Sequence, residues 1–115
     1  MKLEDIVDKI YIDPRKLTHY VLDISSPHGK HKAVLFEKLL GFTKENYTSL
    51  LYEIESRAMQ SEITFHSQDH FGKRYLADIT VQGTEGREAV VRTGWLIHPE
   101  TKEANLVTLY IRKKT

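Results

Sequence analysis

Near residue 60 the spacing of apolar residues changes from three or four to two, so this chain folds as neither an all-helical bundle nor an all-strand barrel. Helices come first. Asp13-Pro14-Arg15-Lys16-Leu17 is a helix start, with Asp13 as cap and Pro14 at the first helical position, where its missing N–H costs nothing. Leu17, Tyr20 and Val21 then fall on one face. Ahead of it, Ile10-Tyr11-Ile12 is short and reads as either a strand or an extended lead-in, and Ser25-Ser26-Pro27-His28-Gly29 ends the helix. From Lys30 to Leu40 the residues Ala33, Val34, Phe36, Leu39 and Leu40 leave Lys32, Glu37 and Lys38 toward water, and Gly41 supplies the stop. Thr43-Lys44-Glu45-Asn46 caps a third helix, in which Tyr47, Leu50, Leu51, Ile54 and Ala58 repeat through about Met59.

Beyond the break, Ile63-Thr64-Phe65-His66 alternates and Asp69-His70-Phe71-Gly72 turns. Tyr75 to Val81 is a strand with Tyr75, Ala77, Ile79 and Val81 on one face and Arg74, Leu76, Asp78 and Thr80 on the other. After a turn at Gly83-Thr84-Glu85-Gly86, Glu88 to Ile97 places Ala89, Val91, Thr93, Trp95 and Ile97 opposite Val90, Arg92, Gly94 and Leu96. His98-Pro99-Glu100-Thr101-Lys102 is the next break, and Leu106 to Ile111 the last strand. Short connections imply an antiparallel meander. The expected fold is α+β, with three N-terminal helices packed on a four-stranded antiparallel meander sheet in one domain spanning residues 1–115.

A chain of 115 residues has room for one core, with a radius of gyration of about 13 Å, so any site is built on a single small scaffold. The 17 Lys and Arg against 16 Asp and Glu, a formal charge of +1, remove the bulk argument for nucleic-acid binding and leave only a local basic site. The absence of cysteine excludes a disulfide framework, a thiolate zinc site and a thiol nucleophile. The opening MKLEDIVDKI has no continuous apolar stretch, so neither a signal peptide nor a membrane anchor is expected and the location is read as cytoplasmic.

Six histidines direct attention to proton and phosphate chemistry. The densest polar cluster is His28-Gly29-Lys30-His31-Lys32, at the mouth of the second helix, where a phosphate would meet backbone donors, two imidazoles and two lysines. A solvated helix start is the plainer reading of the same residues, although cations in a first turn oppose the helix dipole. Arg92 lies in an apolar strand and must pair or bind an anion; Asp78 on the neighbouring strand is the structural partner on offer. Gly94 leaves room above the sheet, and Thr108 and Tyr110 share a face by the period of two. A metal reading of the pairs His28/His31 and His66/His70 is weak, because no ligand motif accompanies them and the second pair spans a strand and a turn. No nucleotide loop or nucleophile elbow is present. Neither metal nor cofactor is expected.

Several stretches resemble an uncharacterised bacterial family of short proteins, a domain of unknown function. They are Pro14-Arg15-Lys16-Leu17 with Tyr20-Val21-Leu22, and Gly29-Lys30-His31-Lys32-Ala33 with Phe36 and Leu40-Gly41. Gly72-Lys73-Arg74-Tyr75 with Asp78, Val91-Arg92-Thr93 with Trp95, and Leu106-Val107-Thr108 with Tyr110 continue the likeness. Its most specific piece is the Gly-x-His-Lys-Ala signature. The resemblance implies a protein found alone or as the C-terminal domain of a larger one, often beside a small partner. At fold level, helices followed by a four-stranded meander are similar to the barnase, EndoU, colicin and RelE group of metal-independent ribonucleases, many of them bacterial toxins.

That likeness implies cleavage of RNA by its own 2′-hydroxyl, which needs a base, an acid and positive charge on the phosphoryl oxygens. His31 would serve as base or acid, Lys32 and Arg92 would stabilise charge, and Thr108 would donate a hydrogen bond to phosphate. His28, Lys30 and Arg74 would bind substrate, and Tyr110 would stack on a base or share the proton transfer. His31 and Lys32 point about 100° apart on a helix, so one of them faces the sheet. The implied partners are RNA, transfer RNA among the candidates, and a small cognate inhibitor. The rival reading is a non-catalytic binding module of a bacterial two-protein pair that binds RNA or an acidic partner.

Overall fold

A computed structural model describes residues 1–27 and 30–112. The chain runs from a three-residue strand, β1 (Lys9–Tyr11), through two helices, α1 (Lys30–Leu40) and α2 (Tyr47–Arg57). It continues into β2 (Ile63–Asp69), β3 (Gly72–Gln82), β4 (Glu88–Ile97) and β5 (Glu103–Ile111). The strands form one sheet in the order β1-β5-β4-β3-β2. The expected architecture of three helices on four antiparallel strands is therefore corrected to two α-helices with shorter helical turns on a five-stranded mixed sheet.

Both corrections have local causes. β2 to β5 form the antiparallel meander that the alternation and short turns predict. The fifth strand comes from the ambiguous Ile10 segment, in which Lys9, Ile10 and Tyr11 pair in parallel with Glu103, Ala104 and Asn105. Three residues carry too little alternation to announce a strand. Around Pro14 the helix start is as read, with Asp13 accepting the Arg15 N–H at 3.0 Å. The segment then widens into one π-helical turn, Leu17–Val21, closed by the Leu22 N–H on the Leu17 carbonyl at 2.8 Å. It goes no further because Asp23 turns back on Ser25, taking both its N–H at 3.0 Å and its hydroxyl at 2.6 Å, an alternative to helical hydrogen bonding.

One sheet face carries the core. Ala77, Ile79 and Val81 of β3, Val91, Thr93 and Trp95 of β4, and Leu106, Leu109 and Ile111 of β5 are buried with Phe36 and Leu40 of α1 and Leu50 and Ile54 of α2. Each large apolar side chain so enclosed contributes about 1.5–3 kcal/mol. Val34 and Leu39, read from spacing as part of the α1 apolar face, are instead exposed. Thr93 is the polar residue of this layer. Its hydroxyl donates to the Ala77 carbonyl at 2.8 Å and accepts the Trp95 indole N–H at 2.8 Å, so the largest core side chain keeps its donor satisfied. The radius of gyration is 13.8 Å, close to the size expected from length. Among the described residues no helix is long and apolar enough to cross a membrane.

Candidate active site

β1 ends at Tyr11, so among the described residues β5 beyond Asn105 has no strand partner on that side. The same stretch carries a bulge. Gly94 pairs with Thr108 but Trp95 pairs with Leu106, leaving Val107 as the extra residue, and Leu106 and Leu109 both face the core across it. Thr108 and Tyr110 then lie on the other face, opposite Gly94 and Arg92 respectively. Gly94 matters here because a Cβ at that position would sit 2.8 Å from the Thr108 methyl carbon.

The π-helical turn closes over this free edge. Between them is a cleft of about 500 Å³ lined by Asp13, Arg15, Lys16, His19, Tyr20, Val107 and Thr108. Lys16 Nζ donates to the half-buried Val107 carbonyl in a long bond of 3.5 Å. Asp13 is held by Arg15, whose guanidinium lies 2.7 Å away and lowers the carboxyl pKa to about 2. His19 Nδ1 lies 2.8 Å from the Thr18 hydroxyl.

From α1, Lys32 reaches the same place. Its ammonium donates to Thr108 Oγ1 at 3.4 Å and lies 5.2 Å from the centre of the Tyr20 ring and 5.7 Å from that of Tyr110. Burial pushes its pKa below the usual lysine value, and two ring faces and a hydroxyl partly offset that cost. Thr108 is its single hydrogen-bond acceptor among the described residues, so two of the three ammonium hydrogens remain for a ligand. Lys32 is thus the residue of the His31-Lys32 pair that faces the sheet. His31 is exposed on the neighbouring side of α1, and Lys30 is exposed at its start. His28 lies outside the described residues.

Arg92 is held differently. Its Nε and one terminal nitrogen donate to the two Asp78 oxygens at 2.8 and 3.1 Å, and Arg112 adds a bond of 2.8 Å to the same carboxylate. The hydrogen bonds from Arg92, then from Arg112, keep the Asp78 carboxyl below the usual carboxylate range. Two guanidiniums on one carboxylate leave a surplus positive charge beside Tyr110. A groove of about 310 Å³ lined by Glu62, Thr64, Leu76, Asp78 and Arg92 adjoins them. Arg74 pairs with Asp69 instead, four residues or about 13 Å along β3 from Asp78. Among the described residues no three His, Cys, Asp or Glu side chains gather as a metal site.

The structure therefore brings together Lys32, Thr108 and Tyr110, with Arg92 directly across from Tyr110, while Arg74 is held by Asp69 and Lys30 and His31 are exposed on α1. Sequence reasoning missed Lys16, His19, Tyr20 and Arg112. Tyr20 packs against the core beside Leu17 and Val21, as its spacing predicts, and its ring also meets the Lys32 ammonium, which no spacing shows.

The family described as domain of unknown function DUF6883 has a model that matches residues 2–113. No curated protein matches the chain. Among solved structures, a chain of the contact-dependent growth inhibition toxin–immunity protein complex from Klebsiella pneumoniae 342 has a similar fold, with a TM-score of 0.68 and 12% identity. The match covers 90% of this chain and 93% of that one.

Proposed function

The chain belongs to the DUF6883 family, and from that premise we propose that it is a metal-independent endoribonuclease, a bacterial toxin or effector domain restrained by a small cognate inhibitor. The observation that carries this reading is the partly buried Lys32 ammonium, set against the Tyr20 and Tyr110 rings, with Thr108 as its single acceptor among the described residues and with Tyr20 and Thr108 lining the cleft beside it. A phosphodiester fits such a place. Its non-bridging oxygens take the Lys32 ammonium and the Thr108 hydroxyl, and the charge that builds on them in the transition state meets fixed donors. Lys16 extends the positive track, and Arg92 with Arg112 adds charge beside Tyr110, whose ring offers a stacking surface for a base. His31, one residue before Lys32, supplies a proton-transfer group from the solvent side, and Lys30 and Arg74 meet the strand as it leaves. The similar fold of a chain from a toxin–immunity protein complex supports a place in such a two-protein pair.

The test is cleavage of purified transfer RNA and total RNA with EDTA present. The expected result is cleavage that survives EDTA and falls by about 10²–10³ in Lys32→Ala, the loss typical of one transition-state donor. RNA left intact between about pH 5 and 8 overturns the ribonuclease reading. Retained binding to RNA or to an acidic protein would then identify a binding module.

A further inference from the structure

Building on the ribonuclease reading, we infer that His19, through its Nε2, is the general base that takes the 2′-hydroxyl proton. His19 lines the cleft together with Lys16, Tyr20 and Thr108, and its neighbour Tyr20 is the ring that Lys32 lies over. The Nδ1 of His19 is engaged by the Thr18 hydroxyl, which leaves Nε2 as the ring nitrogen available to a substrate. The Thr18 hydroxyl lies 2.8 Å from His19 Nδ1 and 3.4 Å from the Pro14 carbonyl. In the tautomer that carries its proton on Nδ1, that N–H donates to the Thr18 hydroxyl and Nε2 holds the free lone pair that a base needs. Asp13, the carboxylate nearest in the cleft, is occupied by Arg15 and does not compete for the imidazole.

The step balances without a co-reactant. His19 Nε2 takes the 2′-hydroxyl proton as the 2′-oxygen forms a bond to phosphorus. The bond from phosphorus to the 5′-oxygen breaks, and that oxygen receives a proton from the His31 imidazolium. The products are a 2′,3′-cyclic phosphate and a 5′-hydroxyl, and the two imidazoles exchange protons with water afterwards. Lys32 and Thr108 hold the phosphoryl oxygens throughout.

A base and an acid respond differently to the leaving group. RNA carrying a bridging 5′-sulfur at the cut site expels a thiolate and needs no acid. His31→Ala is therefore expected to lose about 10²-fold or more on ordinary RNA and to recover on the sulfur substrate. His19→Ala is expected to lose as much on both substrates, through kcat at unchanged KM, and to regain part of the rate with added imidazole. A His19→Ala variant that cuts ordinary RNA at the wild-type rate, or one restored by the sulfur substrate, overturns the assignment while leaving the ribonuclease reading in place. A wild-type chain that cuts neither substrate overturns both.

Discussion

Lys32 concentrates the tension between stability and use. Its pKa is depressed by burial, so at neutral pH the folded protein holds a charge that it would rather release. The folded state then binds fewer protons than the unfolded state as pH rises toward 10.5, and stability increases across that window. Lys32→Met keeps the stem's contacts and removes the charge. The variant is expected to melt at or above the wild-type temperature at pH 7, to lose the alkaline gain in stability, and to lose function. Thermal unfolding followed by circular dichroism at pH 7 and at higher pH reads all three points together with an RNA assay. A clear fall in melting temperature would show that Lys32 is structural. At this scale much of the site was legible: an unusual run of cations marked Lys32, and alternation paired Thr108 with Tyr110. His19 and Tyr20 were not, because their importance comes from an edge of β5 that is distant in sequence and, among the described residues, has no strand partner.

Among the elements, β4 and β5 decide the geometry. Gly94 permits Thr108 to sit flat against β4, and the bulge at Val107 brings Leu106 and Leu109 to the core while freeing the edge. In Gly94→Ala the new methyl meets the Thr108 methyl, and the easy escape is a turn of the Thr108 side chain that carries its hydroxyl away from Lys32. The expected outcome is a cleavage rate reduced to that of Thr108→Val, with a stability change of about 1 kcal/mol or less. Chemical denaturation and kinetics on the same sample check it, and an unchanged rate would mean that the Thr108 hydroxyl plays no part. Strand positions and helices α1 and α2 were readable because each repeats its period over several turns or pairs. The Pro14 segment was not, because one capped turn has the same start as a full helix and only Asp23 bonding back to Ser25 ends it. The three residues of β1 likewise become a strand only through their pairing with Glu103, Ala104 and Asn105.

For the whole molecule, near-neutral charge coexists with a local positive edge. The 16 acidic residues offset 17 basic ones in total, but among the described residues Lys32 has no acidic partner and Asp78 serves both Arg92 and Arg112. RNA binding should then release few counterions. With about three phosphate contacts, the slope of log K against log salt is expected near about −2, measured by fluorescence anisotropy on single-stranded RNA. A slope several times steeper would mean that RNA tracks across a broad surface away from this cleft. The central claim, that this edge cuts RNA, is tested most directly by the ends it makes. Transfer RNA incubated with the protein in EDTA is expected to yield fragments ending in 2′,3′-cyclic phosphate, and Lys32→Met of intact fold to yield them about 10²–10³-fold more slowly. Intact RNA, or equal cleavage by both proteins, would contradict it.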